Sequence, residues 1–452
     1  MKRLLWYLPI ICLFACSKIS NDVSQSEVLT GEIDVISKEE AIQTLEAFLN
    51  DSGMIQTKSG SERRYSQIET YYSISPLTKS VDDSIPTAYV VNFEDEEGFA
   101  VLGANRLVPD IVAITESGKI DPLTLQVTSN PEVSINSDAT FVDMDESEIE
   151  YFNDNVFITT DSLYFCNEDN DYYDGVSTTD DMATSLIQEC LRTTTSDFYV
   201  DNRVEGESSS PRYYTKSPLL GQCSWGQTSP YNKYCKRGTS KQAEAFTGCS
   251  TTAMAMIVAY NEYPQNLIIN DVQIDYKKIK NYPLSLLYDT EIEYISLLMG
   301  SIFNSVRKVT TSSYTMITPY QIKKLMQKFG YVNVNKLNAS KLNSNLLDAI
   351  SQMLGNNKPV FISAIPSCWK YGHSWVVDGA KYSANNTYLL HMNFGWKGSN
   401  NGYFASECIN PSRAESYDDP GNVLNQNYRY SWHFRIITYD VPQTQRQMRV
   451  SF

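Results

Sequence analysis

One cysteine in this sequence stands where a helix is predicted to begin. Cys249 follows Thr247 and Gly248 and leads into a run of apolar residues that ends near Tyr260. A thiol at a helix N-terminus lies beside unpaired N–H groups and the positive end of the helix dipole, which stabilise the thiolate and lower its pKa. The position suits a nucleophile, and a core cysteine at a helix start is the alternative.

The histidines are few, and one of them is a candidate general base. Of the three, only His373 follows a glycine, and it opens a β-rich run, so its imidazole is predicted to project from a rigid strand start. His391 and His433 lie inside β-rich runs and are interpreted as structural. The strand after His373 ends at Asn393, so cysteine, histidine and asparagine follow in the order of a papain-like catalytic set.

The N-terminus is interpreted as an export signal. A charged start precedes a short apolar segment that ends at Leu13-Phe14-Ala15-Cys16, which resembles a bacterial lipobox. Cys16 is therefore predicted to be lipidated. The protein would then be an exported outer-membrane or cell-surface lipoprotein with no other membrane contact, either kept at the membrane or released after cleavage. An ordinary cleaved signal and an uncleaved anchor are the alternatives.

Charge divides the chain into two unlike parts. The 452 residues carry a formal net charge of −16, which argues against a nucleic-acid partner. Residues 17–210 hold 10 Lys and Arg against 39 Asp and Glu, or −29, whereas residues 211–452 hold 25 against 14, or +11. We expect the acidic part to dock on the basic part partly by electrostatic complementarity, with apolar packing as the alternative.

The other cysteines and acidic residues do not form a convincing metal site. Seven cysteines follow Cys16 without any Cys-x-x-Cys motif, and the acidic stretch 167–175 departs from a calcium loop in the place of its glycine. Cys223 and Cys235 could pair, and buried free thiols are the alternative. No metal or cofactor is expected, only reducing conditions that keep the nucleophile free.

Local patterns outline the acidic part. Residues 17–36 suit a tether, and Ser37 with Glu40 forms a predicted capping box for a helix near 38–51. Three β-rich runs, 88–93, 98–103 and 111–114, complete a small α+β domain. A strand-like patch at 155–160 and a helical candidate at 182–191 follow, and residues 205–212 suit a linker.

Four motifs beyond the linker, in one order, resemble the streptopain family of cysteine peptidase precursors. They are Ser217-Pro218-Leu219-Leu220 with Trp225-Gly226-Gln227 and Pro230-Tyr231-Asn232, then Thr247-Gly248-Cys249 with Thr252-Ala253-Met254-Ala255 and Tyr263-Pro264, then Gly372-His373 with Val377-Asp378-Gly379, and finally Met392-Asn393-Phe394-Gly395-Trp396 with Asn401-Gly402-Tyr403-Phe404. The segments 89–92 and 98–102 resemble the inhibitory propeptide of that family.

The resemblance implies an α+β, papain-like fold, in which a helical subdomain and an antiparallel β subdomain follow a small α+β propeptide. Cys249 would attack as a thiolate, His373 would pair with it, and Gln227 would donate to the oxyanion. Asn393 would accept from the imidazole, and Trp396 would pack over the pair. The family often has tryptophan directly after the asparagine, where this chain has Phe394.

The expected domains are a signal peptide at 1–16, a tether at 17–36, an inhibitory propeptide at 37–210 and a peptidase domain at 211–452. The predicted function is that of an exported cysteine endopeptidase made as a zymogen, which acts on protein or peptide substrates and is held inactive by its own propeptide. A papain-like acyltransferase or transglutaminase would use the same residues. A catalytically silent adhesin or inhibitor would be expected to lack Cys249 or His373, and both are present.

Overall fold

The structure is a computed structural model. It describes residues 34–57, 60–72, 86–106, 108–121, 187, 191, 213–236, 244–280, 282–306, 308–310, 315–339, 342–366, 373–406 and 432–452. The predicted signal peptide with Cys16, the stretches 155–160 and 167–175, the linker 205–212 and most of 182–191 lie outside these residues, as do Cys166, Cys190, Cys368 and Cys408. The segment 34–121 is called the prosegment below.

The prosegment folds as one helix against an antiparallel sheet. Its elements are α1 (Lys38–Ser52), β1 (Tyr65–Tyr71), β2 (Ala88–Phe93), β3 (Phe99–Gly103) and β4 (Ile111–Thr115), with a short 3₁₀ turn at Glu94–Glu96. The Ser37 hydroxyl accepts from the N–H of Glu40 at 3.1 Å and caps α1, and Gly53 ends the helix in the left-handed conformation. Four apolar side chains spaced along one face of α1 are buried, and they are Ala41, Leu45, Phe48 and Leu49.

The rest of the chain supplies five helices and eleven strands among the described residues. The helices are α2 (Cys249–Asn261), α3 (Tyr276–Ile279), α4 (Asp289–Asn304), α5 (Pro319–Phe329) and α6 (Ser344–Gly355), with a 3₁₀ turn at Leu284–Leu286. The strands are β5 (Asn266–Ile269), β6 (Val272–Gln273), β7 (Val309–Thr310), β8 (Thr315–Met316), β9 (Val332–Ala339), β10 (Val360–Pro366), β11 (His373–Tyr382), β12 (Tyr388–Asn393), β13 (Gly402–Ala405), β14 (Trp432–Asp440) and β15 (Gln447–Val450).

The prosegment and the C-terminal part share one sheet. Its ten strands run in the order β1-β2-β3-β4-β13-β12-β11-β10-β14-β9, and every neighbouring pair is antiparallel. The junction is the pair β4–β13. The helix and the β-rich runs predicted for this segment are thus present, and their sheet continues that of the C-terminal part.

Helix α2 is the central helix of the C-terminal part. Its residues from Ser250 to Ala259 are all buried, as the apolar run predicted, and the helix packs against α4 on one side and β11 on the other. This packing brings the start of α2 beside the start of β11. No helix in the described part of the chain has the length and apolar character needed to cross a bilayer.

Candidate active site

Cys249 is the first residue of α2, and the chain enters the helix through a glycine. Gly248 is the N-cap, with φ 85° and ψ 143°, and it offers no side chain to the first-turn N–H groups. This backbone region is open almost only to glycine. A Cβ atom at Gly248 would also lie 2.7 Å from the carbonyl oxygen of Thr315. The helix dipole and free N–H groups therefore face the half-buried thiol.

Two serines next to Cys249 and His373 affect the acidity of the Cys249 thiol. Burial raises the pKa of the Cys249 thiol, whereas hydrogen bonds from the main chain and side chain of Ser374, and then of Ser250, lower it. The Ser250 hydroxyl donates to the carbonyl of Ile317 at 2.8 Å and lies 3.0 Å from the Ser374 hydroxyl. Since Ser374 follows His373 directly, these contacts place the nucleophile at the start of β11.

His373 is buried, with 8% of its surface exposed, and it opens β11. Its Nε2 atom lies 3.1 Å from the carbonyl oxygen of Phe394. Because a carbonyl only accepts, Nε2 carries a proton, and in the neutral ring Nδ1 then holds the lone pair. Burial lowers the pKa of His373 to about 4, although the Phe394 carbonyl opposes this shift. The ring is therefore neutral near pH 7 in this structure.

The side chain of Asn393 was expected to accept from the imidazole of His373, and it instead hydrogen-bonds to main-chain groups. Its Nδ2 donates to the carbonyl of Cys223 at 2.8 Å, and its Oδ1 accepts from the N–H of Gly395 at 3.2 Å. The imidazole contact is instead made by the main chain of the next residue, Phe394. A main-chain carbonyl carries no sequence signal, which is why the pattern of residue types pointed to the neighbouring amide.

Aromatic rings surround the histidine. The ring of Trp396 lies against His373, with centroids 4.3 Å apart, and stacks on Phe394 at 5.1 Å. Trp375 stacks parallel to the imidazole at 5.9 Å. These rings exclude water from one side of the base, which is the cause of its lowered pKa.

Gln227 lies on a segment connected to both sides of the site. Its carbonyl accepts from the N–H of Thr247 at 3.0 Å, two residues before the nucleophile. Two residues earlier, the carbonyl of Trp225 accepts from the main-chain N–H of Lys397 at 3.0 Å. The half-buried Gln227 is thus held near the start of α2 by its main chain.

The structure thus stacks Trp396 on His373, places Cys249 beside Ser374, the residue after His373, and ties the main chain of Gln227 to Thr247, while Asn393 ends the adjacent strand β12. Sequence reasoning did not single out Ser250, Ser374 or the Phe394 carbonyl. The available signal was a serine directly after each of the two principal residues, and a serine in either place has many other uses.

His391 is buried and charged. Its Nδ1 lies 2.6 Å from Oδ1 of Asp378, and its Nε2 lies 3.2 Å from Oε1 of Glu116 in the prosegment. Burial by itself lowers the pKa of His391, but Asp378 and then Glu116 raise it to about 10. The side chain of His433 lies outside what the structure describes.

Cys223 and Cys235 do not form the disulfide that their spacing allowed. Both are buried free thiols, and burial raises the pKa of each to about 12. The alternative of buried thiols is therefore the correct one for this pair. Within the described residues, no group of three or more His, Cys, Asp and Glu side chains could hold a metal ion.

Comparison with known families agrees with this geometry. Residues 225–404 match the peptidase C10 family, and residues 33–131 match the Spi protease inhibitors. The streptopain-like resemblance is confirmed. The two matches fall on the part that carries the candidate active site and on the prosegment.

Individual relatives are distant. Streptopain from Streptococcus pyogenes is 28% identical over 194 residues, which is 37% of this chain and 47% of streptopain. The thiol protease/hemagglutinin PrtT of Porphyromonas gingivalis is 24% identical over 223 residues, 44% of this chain and 24% of its own length. The chain thus spans about half the length of the streptopain sequences that it matches.

A solved structure supports the fold. A prointerpain A fragment from Prevotella intermedia superposes with a TM-score of 0.50 at 17% identity, covering 84% of this chain and 100% of the fragment. This likeness confirms the predicted α+β, papain-like fold class.

Proposed function

We propose that this protein is a cysteine endopeptidase made as a zymogen. The observation that carries the proposal is the position of Cys249, which lies at the uncapped start of α2 and interacts with Ser374, the residue next to His373. The thiolate would attack the scissile carbonyl, and the thiol proton would pass to Nδ1 of His373. His373 would then protonate the leaving amine, and water would release the acyl group.

The oxyanion would be stabilised by two donors, the N–H of Cys249 and the side-chain amide of Gln227. The position of Gln227 beside Thr247 supports this role. In the precursor, burial raises the pKa of the thiol and lowers that of the imidazole, so the neutral pair is favoured over the reactive ion pair.

The test is hydrolysis of casein by the full chain under reducing conditions, with and without a thiol alkylator. Wild type should cleave after activation, and Cys249→Ala should remain an intact, inactive precursor. Cys235→Ala is the matched control, because it removes a buried free thiol outside the site and should retain activity. Casein hydrolysis by Cys249→Ala would overturn the assignment.

The prosegment is proposed to be the inhibitor of the peptidase domain. Its strand β4 extends the sheet at β13, and its Ser117 hydroxyl donates to the carbonyl of Gly398 at 2.8 Å. Gly398 lies in the turn that also carries Trp396, so the prosegment contacts the segment that covers His373. The proposed sequence of events is cleavage in the linker near 205–216, followed by release of the prosegment from this turn.

Export as a lipoprotein is proposed from the N-terminal sequence alone. Cys16 would carry the lipid and anchor the precursor at an outer or cell-surface membrane, from which linker cleavage could free the peptidase domain. Metabolic labelling with palmitate should mark wild type and fail in Cys16→Ser, with Cys12→Ser as the control that keeps its label. An unlabelled wild type would make the signal an ordinary one.

A further inference from the structure

The junction between prosegment and peptidase domain is a strand pair in a fixed register. Thr115 lies opposite Gly402, Ile114 opposite Tyr403 and Ala113 opposite Phe404. A Cβ atom at Gly402 would lie 2.1 Å from the carbonyl oxygen of Ile114, so the absence of a side chain there admits the prosegment backbone. The N–H of Glu116 donates to the carbonyl of Asn401 at 2.7 Å, which fixes the residue just past the strand.

Glu116 meets a buried imidazole at this point. His391 is 2% exposed, and its Nε2 lies 3.2 Å from Oε1 of Glu116. Its Nδ1 lies 2.6 Å from Asp378, which is itself fully buried and accepts from the N–H of Leu220 at 2.9 Å. Because carboxylates accept, both ring nitrogens donate, and the ring is an imidazolium between two anions.

The two anions have different origins. Asp378 belongs to β11 and is oriented by a main-chain N–H of the peptidase domain, so it would remain with His391 after processing. Glu116 belongs to the prosegment and would leave. The other groups facing this cluster are the Tyr403 ring, edge-on to the imidazole at 4.9 Å, and Arg63, whose charge interacts with that of Glu116.

Two further prosegment carboxylates contact the same part of the peptidase domain. Oδ1 of Asp110 accepts from the hydroxyls of Ser383 at 3.0 Å and Thr387 at 2.5 Å, in the turn between β11 and β12. Asp51 lies 2.6 Å from Nζ of Lys381. Of these two carboxylates, Asp51 pairs with a cation, whereas Asp110 accepts from neutral hydroxyls.

We propose that the His391–Asp378 pair is the site by which the peptidase domain recognises its own prosegment, with the Glu116 carboxylate as the ligand. Asp378 holds the ring and its charge in place, and Glu116 completes the coordination of Nε2. A buried cation that lacks one of its anions is costly, so the pair selects a docked strand that presents an acid at this register. A slip of β4 by one residue would turn its side chains to the opposite face and remove Glu116 from the site.

This inference rests on the proposed function only in taking the prosegment as the inhibitor. Its test therefore uses a readout of docking rather than of proteolysis. The full chain carrying Cys249→Ala, which does not process itself under the proposed function, is compared with the same chain carrying Glu116→Gln. Amide hydrogen exchange is followed by mass spectrometry in the peptides that contain Ile111–Thr115 and Gly402–Ala405.

We expect amide exchange in β4 and β13 to be roughly 10- to 100-fold faster in Glu116→Gln than in the parent. The substitution replaces the charge-assisted hydrogen bond between Glu116 and His391 by a neutral one, which weakens the junction between the two strands. Exchange in α4 should be unchanged. Glu94→Gln is the matched control, since it removes the same charge from an exposed position of the prosegment and should leave both strands as in the parent. Glu116→Asp keeps the charge but shortens its reach, so it should give an intermediate rate.

Equal exchange of the two strands in the parent and in Glu116→Gln would overturn the proposal. So would equal acceleration in Glu94→Gln, because the effect would then follow net charge rather than contact with His391. Failure of the proposed function is detected separately, by casein hydrolysis that persists in Cys249→Ala. Glu116→Gln could speed exchange in both strands without speeding processing of the chain that retains Cys249. That result would contradict inhibition by the prosegment and would leave the recognition site supported.

Discussion

The hydroxyl of Ser374 is the side-chain group that most directly favours the thiolate. The Ser250 hydroxyl is the donor both to the carbonyl of Ile317 at 2.8 Å and to the Ser374 hydroxyl at 3.0 Å, so the proton of Ser374 is not used in either contact. When the thiol ionises, the Ser374 hydroxyl can turn its proton to the sulfur. Ser250 thus positions Ser374 in the resting state.

Ser374→Ala should raise the pKa of Cys249 by about one to two units, since a hydrogen bond to a charged group contributes roughly 1.5–3 kcal/mol. The measurement is the pH dependence of alkylation of Cys249 in the full chain, read by mass spectrometry of its peptide. Ser301→Ala is the control, because Ser301 is equally buried and donates to the carbonyl of Leu298 at 2.8 Å. A Ser374→Ala profile that superposes on wild type would refute the role of this hydroxyl.

Gln227→Ala should lower kcat by roughly 10²–10³-fold with little change in KM, because an oxyanion donor acts mainly in the transition state. Steady-state cleavage of a peptide substrate by the activated enzyme measures this split. Gln352→Ala, on an exposed face of α6, is a control for loss of an amide and should leave both constants unchanged. An effect on KM alone would assign Gln227 to substrate binding.

At the scale of elements, the start of α2 depends on a glycine with a backbone conformation that other residues avoid. The turn places Cys249 at the first position of α2 and brings Gly248 into close approach with Thr315 of β8. The position and backbone conformation of Gly248, rather than the helix propensity of the residues that follow it, determine where the Cys249 thiol lies.

Gly248→Ala should destabilise the fold by at least about 2 kcal/mol, because it adds a steric clash to the cost of a positive φ. The comparison is Gly53→Ala, the C-cap of α1, which has φ 75° and no atom within 4 Å of the added carbon. Gly53→Ala should lower the free energy of unfolding by only about 1 kcal/mol. Denaturant unfolding of the two full-length variants gives both values, and equal losses would show that the approach to Thr315 is unimportant.

At the scale of the whole molecule, docking of the prosegment combines one exposed ion pair with one buried one. Asp51 and Lys381 are accessible to salt, with 71% and 23% of their side chains exposed, whereas His391 is almost fully enclosed. Added salt should weaken the Asp51–Lys381 pair and leave the Glu116–His391 pair largely intact. Apolar contacts add to both, for example the edge-to-face packing of Phe48 on Tyr403 at 5.3 Å.

Alkaline pH should therefore loosen the prosegment more than salt does. With the prosegment docked, Asp378 and then Glu116 raise the pKa of His391 to about 10 although burial lowers it. Because Asp378 stays with the ring when the prosegment leaves, only the Glu116 part of this rise stabilises docking, and that contribution is present at neutral pH and is lost as pH rises through about 10. Hydrogen exchange of β4 and β13, corrected for the intrinsic pH dependence, should accelerate toward pH 10. In Glu116→Gln this acceleration should be smaller, because the carboxylate that links docking to the charge of His391 is absent, and identical profiles would contradict the role of Glu116 in raising the pKa of His391.

The sequence by itself predicted the candidate catalytic residues, and it determined the elements that carry them. Helix α1, three prosegment strands and the apolar helix behind Cys249 follow from capping residues and hydrophobic spacing, which act over a few neighbouring residues. The rarity of histidine and its order relative to cysteine and asparagine singled out His373. The charge division between residues 17–210 and 211–452 predicted carboxylate contacts between the two parts.

Only the tertiary structure decided which groups those residues meet. The partner of His373 is a main-chain carbonyl rather than the amide of Asn393, and His391 bridges two segments that lie 275 residues apart in sequence, counted between His391 and Glu116. Cys223 and Cys235 stay apart because the fold buries them separately. Contacts of this kind depend on the register of β4 against β13 and on the packing of α2 against β11, both of which join distant parts of the chain and leave no periodic pattern in the sequence.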